Sequence, residues 1–201
     1  MKTRLLFAAI AVSMMVAVGA LTAAEKESAE KEFKATCPVA GKPAIETSFV
    51  EENGKKVYFC CKNCPKAYAK DPEKFANKAY LQMLETEQIV QVGCPVSGEP
   101  IDPETMVEIG NTKVGFCCEK CQAKFNEAGD DDKLAMLFAD FEKGFTLQNL
   151  CPVSNKPINP EAFVEHEGKK VYFCCEGCPK AFEADPAKYT AKLPQFQTET
   201  K

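Results

Sequence analysis

The chemistry available to this chain is that of sulfur. Its cysteines are Cys37, Cys60, Cys61 and Cys64; then Cys94, Cys117, Cys118 and Cys121; then Cys151, Cys174, Cys175 and Cys178. Each lies 57 residues from its counterpart, with no insertion or deletion, so every set reads C-x22-C-C-x2-C. Thiolates at such density bind soft metal ions, form disulfides or exchange disulfides. Repetition at one fixed period makes the chain an array of three equivalent units.

The metal reading rests on the spacing. One sulfur comes from an opening turn, and a close group comes from a strand-to-helix corner some twenty residues on. Small zinc-finger-like sites gather sulfurs in this way. Amides at a helix start favour the thiolate form that binds metal. The adjacent pairs, such as Cys60-Cys61, are awkward for disulfides, whose geometry is demanding. Two disulfides per repeat stay open as an alternative, as does structural zinc that only holds a scaffold for interactions. A thiol-disulfide oxidoreductase working through Cys61-x-x-Cys64 is the third, although the βαβ context of such a site is missing.

The flanking residues say how the sulfurs are positioned. Cys37-Pro38-Val39, Cys94-Pro95-Val96 and Cys151-Pro152-Val153 open the repeats. Gly41-Lys42-Pro43, Gly98-Glu99-Pro100 and Asn155-Lys156-Pro157 follow as tight knuckles with backbone amides near the thiolate. Two short extended runs come next, Phe49 to Glu51 and Lys55 to Phe59 in the first repeat. Asn53-Gly54 between them is a hairpin signal, matched by Gly110-Asn111 and Glu167-Gly168. Pro65 and Pro179 mark helix starts just after the last cysteine. Asp71-Pro72 and Asp185-Pro186 are expected to cap a further helix, with Asp130, Asp131 and Asp132 in that role in the second repeat. Leu134, Leu137, Phe138, Phe141 and Phe145 follow at helical spacing, as core or inter-repeat packing. The second repeat has diverged most.

Each repeat resembles the TRASH-type, or YHS-type, metal-binding domain. The likeness is carried by Cys37-Pro38-Val39, Tyr58-Phe59-Cys60, Cys64 and Asp71-Pro72, with two matching copies downstream, and it covers most of residues 37–193. The family's pattern of one Cys, about twenty residues, then C-x3-C fits Cys37, Cys60 and Cys64. It fits Cys94, Cys117 and Cys121, and Cys151, Cys174 and Cys178, equally well. The resemblance implies a treble-clef-like or zinc-ribbon-like fold and a role in heavy-metal sensing, trafficking or resistance, often with copper. Such domains are also found attached to metal-transporting ATPases. Related four-cysteine fingers carry a second knuckle cysteine where Ala40, Ser97 and Ser154 stand here. Many YHS-type copies have Ser where Cys61, Cys118 and Cys175 stand. Three thiolates suit Cu(I) and four suit structural Zn(II); the sequence leaves both open. If Cys60 ends a strand facing the knuckle, Cys61 faces the other way and Cys64 returns one helical turn on, which ranks Cys61 below Cys60 as a ligand.

Composition narrows the partners. The chain of 201 residues carries 25 basic and 29 acidic side chains. Lys2 and Arg4 precede an apolar stretch from Leu5 to Ala20, and small residues lead to Ala24. That order predicts a cleaved signal peptide, and a periplasmic or secreted protein with no membrane span after cleavage. Without Lys2 and Arg4 the chain holds 23 basic against 29 acidic groups, a net of −6. An acidic chain is a poor partner for nucleic acid. A single histidine, His166, excludes His-rich metal enzymes and most His-dependent triads. It sits among charged neighbours and is expected at the surface. Tyr58, Phe59, Tyr172, Phe173, Phe75 and Tyr189 are expected in the core. Lys55-Lys56 and Lys169-Lys170 are expected as solvated strand positions that protect an edge.

The sequence therefore predicts a small α+β array: three tandem treble-clef or zinc-ribbon-like modules of knuckle, β-hairpin and helix. Residues 1–24 are the signal peptide and 25–36 a flexible charged leader. Repeats follow at 37–90, 91–147 and 148–201. The predicted function is non-enzymatic binding of Cu(I) or Zn(II), about one ion per repeat, for trafficking, buffering or resistance. A metal transporter or other metal-handling protein is the expected protein partner.

Overall fold

Each repeat is organised by its knuckle. In a computed structural model that describes residues 32–52 and 54–197, the Cys37 N–H donates to Lys42 O at 2.8 Å and the Gly41 N–H donates back to Cys37 O at 2.9 Å. Cys94 and Cys151 close their knuckles in the same way, with Gly98 and Asn155 as the returning donors. The fifth knuckle residue takes a left-handed φ in every repeat: +65° at Gly41, +80° at Gly98 and +57° at Asn155. Glycine and asparagine enter that region at least cost, which explains the residue types there. The expected signal peptide, most of the leader, and Asn53 lie outside the described residues.

An antiparallel hairpin follows each knuckle. β1 (Ile45–Glu52) pairs with β2 (Lys55–Phe59), and both carry counterparts in the next repeats. After the two-residue strand β3 (Val90–Gln91) come β4 (Asp102–Ile109) with β5 (Thr112–Phe116). β6 (Phe145–Thr146) precedes β7 (Asn159–His166) with β8 (Lys169–Phe173). Each first strand breaks register at the same place, between Ile45 and Phe49 and at the positions 57 and 114 residues on. Glu167 and Gly168, at φ +51° and +75°, form a two-residue turn with both residues left-handed. Val57, Phe59 and their counterparts are fully buried on the inner face.

The helices bear out the sequence reading in repeat 1 and correct it in repeat 2. α1 (Cys64–Lys70) opens on its cysteine with Pro65 in the first turn, and α2 (Pro72–Glu85) is capped by Asp71, whose side chain accepts from the Lys74 N–H. In repeat 2, Gln122 stands where Pro65 does, and its N–H donates to Cys118 O at 3.1 Å. A proline cannot make that bond. So α3 (Glu119–Glu127) begins two residues before Cys121. Asp130, Asp131 and Asp132 lie in the first turn of α4 (Asp130–Phe138), and Gly129 is the N-cap. The aromatic run does not continue as one helix. After α4 come α5 (Phe141–Gly144) and then β6, so Phe145 is a strand residue, pairing with Gln91 of β3. In repeat 3, α6 (Cys178–Ala184) repeats α1, and α7 (Ala187–Thr190) is a single turn whose N-cap is Pro186 and not the expected Asp185.

The inward faces pool into two cores. Repeats 1 and 2 share one, in which Phe59, Tyr68, Met83, Val114, Phe116, Phe125, Leu137 and Phe145 are all buried. Tyr80 of α2 joins it to repeat 2 through ring contacts with Phe138 and Phe141 at 5.6 and 4.8 Å. Repeat 3 has its own smaller core of Ala162, Val171, Phe173, Phe182 and Leu193 around Cys151. The end of the expected leader is packed: Ala35 is buried, Phe33 lies edge-on to Tyr58, and the Thr36 N–H donates to Glu85.

One lysine reading also changes, while Lys169 and Lys170 are exposed as expected. Lys55 is only 8% exposed, and burial lowers its pKa, so it is not a solvated strand position. Lys56 and Lys170 lie over the Phe49 and Phe163 rings at 4.3 and 4.6 Å. His166 is half-buried, edge-on to Phe182 at 5.2 Å, rather than at the open surface.

The hairpin edges are closed by glutamines, which the sequence reading did not single out. Gln82 accepts from the Tyr58 N–H and donates to Tyr58 O, both at 2.7 Å. Gln91 does the same for Gly115 and Gln148 for Tyr172. A primary amide carries the donor and acceptor of a missing strand neighbour, so it satisfies an edge that would otherwise be open.

Candidate metal centre

The knuckle and the strand-to-helix corner bring three sulfurs together in every repeat. Sγ atoms of Cys37, Cys60 and Cys64 all lie within 4.8 Å of one another, as do those of Cys94, Cys117 and Cys121, and of Cys151, Cys174 and Cys178. The knuckle cysteines are buried, at 1%, 0% and 1% exposure. The corner supplies the other two because the strand ends at the residue before Cys60, and α1 starts at Cys64. Cys60 and Cys64 are 3.7 Å apart, and the same separation holds for Cys117–Cys121 and Cys174–Cys178.

These distances fit metal ligation. An ion ~2.3 Å from each sulfur of a tetrahedral set holds its ligands ~3.8 Å apart. A disulfide needs ~2.05 Å, and all twelve cysteines are free. The donor set is all sulfur, which suits Zn(II) and Cu(I) and disfavours hard cations. The three clusters, each of three cysteines, could thus hold one metal ion apiece.

The fourth cysteine of each repeat stands beside the cluster, outside the mutually close set. Cys61 is exposed, 3.5 Å from Cys64. Cys118 is half-buried, 3.7 Å from Cys117. Cys175 is exposed, 3.7 Å from both Cys174 and Cys178. The structure therefore gathers nine of the twelve predicted sulfurs into triads and leaves three at their rims.

Electrostatics divide the sulfurs further. Burial opposes ionisation of Cys37, but backbone N–H groups of Cys60, Ala40 and Val39 outweigh it and lower its pKa. Burial also opposes ionisation of Cys94 and Cys151. There, hydroxyls of Ser97 and Ser154 join the backbone donors and bring each thiol to about 7. The same hydroxyls lie 3.2 Å from Cys117 Sγ and 3.0 Å from Cys174 Sγ. Repeat 1 has Ala40 and no such donor. Burial raises Cys64, and pushes Cys121 and Cys178 up to about 12. Backbone N–H groups of Asn63 and Cys64 bring Cys61 down to about 7. Binding an ion would remove the mutual cost of ionising these crowded sulfurs, because its charge inverts the local balance.

No helix among the described residues is long and apolar enough to cross a membrane. Comparison with protein-family models, curated proteins and solved structures finds no match to this chain.

Proposed function

We propose that this chain is an exported metal-binding protein that carries one soft ion, Cu(I) or Zn(II), in each of three thiolate sites. The observation that carries this reading is the convergence of three sulfurs within 4.8 Å, made three times by the same knuckle and corner. A disulfide framework requires sulfurs in bonded pairs, whereas a metal ion uses a third at no extra strain. The likeness of Cys37, Cys60 and Cys64 to the TRASH-type or YHS-type pattern supports the same chemistry. The basic, apolar and small-residue order at the start of the chain supports export. Buffering, trafficking or resistance are the roles that fit, with no catalytic step, and a metal transporter or other thiolate-bearing metal handler is the partner class.

Knuckle variants test it. In reduced full-length protein, Cys37→Ser, Cys94→Ser and Cys151→Ser should each remove one bound ion, and the triple variant should bind none tightly. Unchanged metal content in the triple variant would sink the reading.

One observation favours a second function. In each of repeats 1 and 3 an exposed cysteine lies within 3.7 Å of a better-shielded one three residues on, Cys61 with Cys64 and Cys175 with Cys178. Thiol-disulfide oxidoreductases use that arrangement, with the exposed thiol as nucleophile. Turnover of a model disulfide substrate by the metal-free protein, lost on Cys61→Ser and Cys175→Ser, would favour it.

A further inference from the structure

We propose that the fourth cysteine of each repeat is an exchange thiol, through which the ion passes between the three-sulfur cluster and a partner that also holds it by thiolates. The inference rests on the metal-binding reading and assigns Cys61, Cys118 and Cys175 a role distinct from the other nine sulfurs.

The geometry sets Cys61 and Cys175 apart by exposure, and Cys118 by its place outside the triad. Cys60, Cys117, Cys121, Cys174 and Cys178 are half-buried, while the knuckle sulfurs are sealed in the core and Cys64 is only 6% exposed. An incoming ligand cannot reach an ion from that side. Cys61 and Cys175 are exposed, yet each lies within 3.7 Å of a cluster sulfur. They therefore touch the site and the solvent together. None belongs to the mutually close triad, so the triad is complete without them. The placement recurs at the same position in all three repeats, as expected for a part of the site and not of a loop's chance composition.

Exchange through such a thiol needs no change in oxidation state. In uptake, a bond forms from the ion to Cys61 Sγ while one bond to a donor thiolate breaks. The Cys61 proton passes to the departing thiolate. From a two-thiolate donor, Cys64 replaces the second donor bond and gives that thiolate its proton, and Cys60 adds to the ion and releases its proton to water. Cys37 then displaces Cys61, which takes the Cys37 proton and is free for the next encounter. Release is the reverse. Ligands are replaced one at a time, so the ion is never bare, which keeps the barrier low. Cys118 is half-buried, so repeat 2 should exchange most slowly.

The test uses full-length reduced protein loaded with Zn(II). Wild type is compared with a variant carrying Cys61→Ser, Cys118→Ser and Cys175→Ser. Bound zinc is measured by elemental analysis, and transfer to a synthetic two-cysteine peptide is followed by stopped flow. The proposal predicts equal zinc content and transfer slowed by about tenfold or more. Lower zinc content would make these cysteines ordinary ligands and overturn it. Unchanged transfer would make them bystanders and overturn it too. Wild type that binds no zinc or copper would remove the metal reading itself, and this inference with it. Should the triple variant fold poorly, Cys175→Ser alone suffices: it should slow one third of the released zinc relative to wild type, and kinetics unchanged from wild type would refute the idea.

Discussion

Ser154 Oγ lies 3.0 Å from Cys174 Sγ, where the first repeat has Ala40 and nothing to donate. Ser97 repeats the contact with Cys117 at 3.2 Å. The three clusters thus share their ligands but not their surroundings. A hydroxyl donating to a thiolate disperses its charge and holds its orientation, and partners of this kind typically change metal affinity by about 10–100-fold. Ser97→Ala and Ser154→Ala should each weaken one site by about tenfold, and Ala40→Ser should tighten the first. Competition with a chromogenic chelator would resolve this, and equal affinities in all variants would refute it.

The hairpin edges give a stability prediction. Gln82 is buried and satisfies both backbone groups of Tyr58. Gln82→Ala would leave a half-buried N–H and C=O of Tyr58 unpaired, at about 1–3 kcal/mol. Gln82→Glu should do no better, because a carboxylate cannot donate to Tyr58 O. Denaturant unfolding would measure the loss. A change below about 0.5 kcal/mol would mean that water replaces the amide.

Thiol reactivity should follow the surroundings of each sulfur. Amides of Asn63 and Cys64 bring Cys61 down to about 7, and burial raises Cys64. A lowered pKa means that the thiolate persists as pH falls, down to that value. In metal-free reduced protein, alkylation of Cys61 should therefore rise with a midpoint near 7. Cys64 should react far more slowly throughout. Mass spectrometry of the alkylated peptides reads both rates, and the reverse order would contradict the assignment.

Metal removal should not act evenly along the chain. Repeats 1 and 2 share a core that extends through α2 and α4, whereas repeat 3 has a small core of its own around Cys151. A small core depends more on its metal. Chelation should strip hydrogen-exchange protection from Val171 to Phe173 before it does so at Val57 to Phe59. Simultaneous loss in both hairpins would show that the shared core adds nothing.

What could be foreseen from the residues was what the period of 57 enforces. Knuckles, hairpins and the Cys37, Cys60, Cys64 triad follow from local turn chemistry repeated three times. Departures came where one repeat broke a local rule. Gln122 in place of a proline let α3 start early, and Phe145 left the helical stripe to pair with Gln91. Lys55 was misjudged because its burial depends on distant segments that no periodicity reveals. The glutamine closures were half visible. Gln91 and Gln148 stand 57 residues apart, but the equivalent position in repeat 1 is Lys34, and Gln82 arrives instead from a helix. The serine contacts needed the fold, since only the closed knuckle brings Ser97 and Ser154 over the corner sulfurs.

The most direct test of the central claim is the metal content of the reduced full-length chain. Reduced, metal-free protein is titrated with Zn(II) and, separately, with Cu(I) under anaerobic conditions, and bound metal is counted by elemental analysis beside a thiol assay. The account predicts about three ions per chain, with the cluster thiols protected from alkylation in the loaded protein. A single ion per chain, or full metal-independent reactivity of Cys37, Cys94 and Cys151, would contradict it.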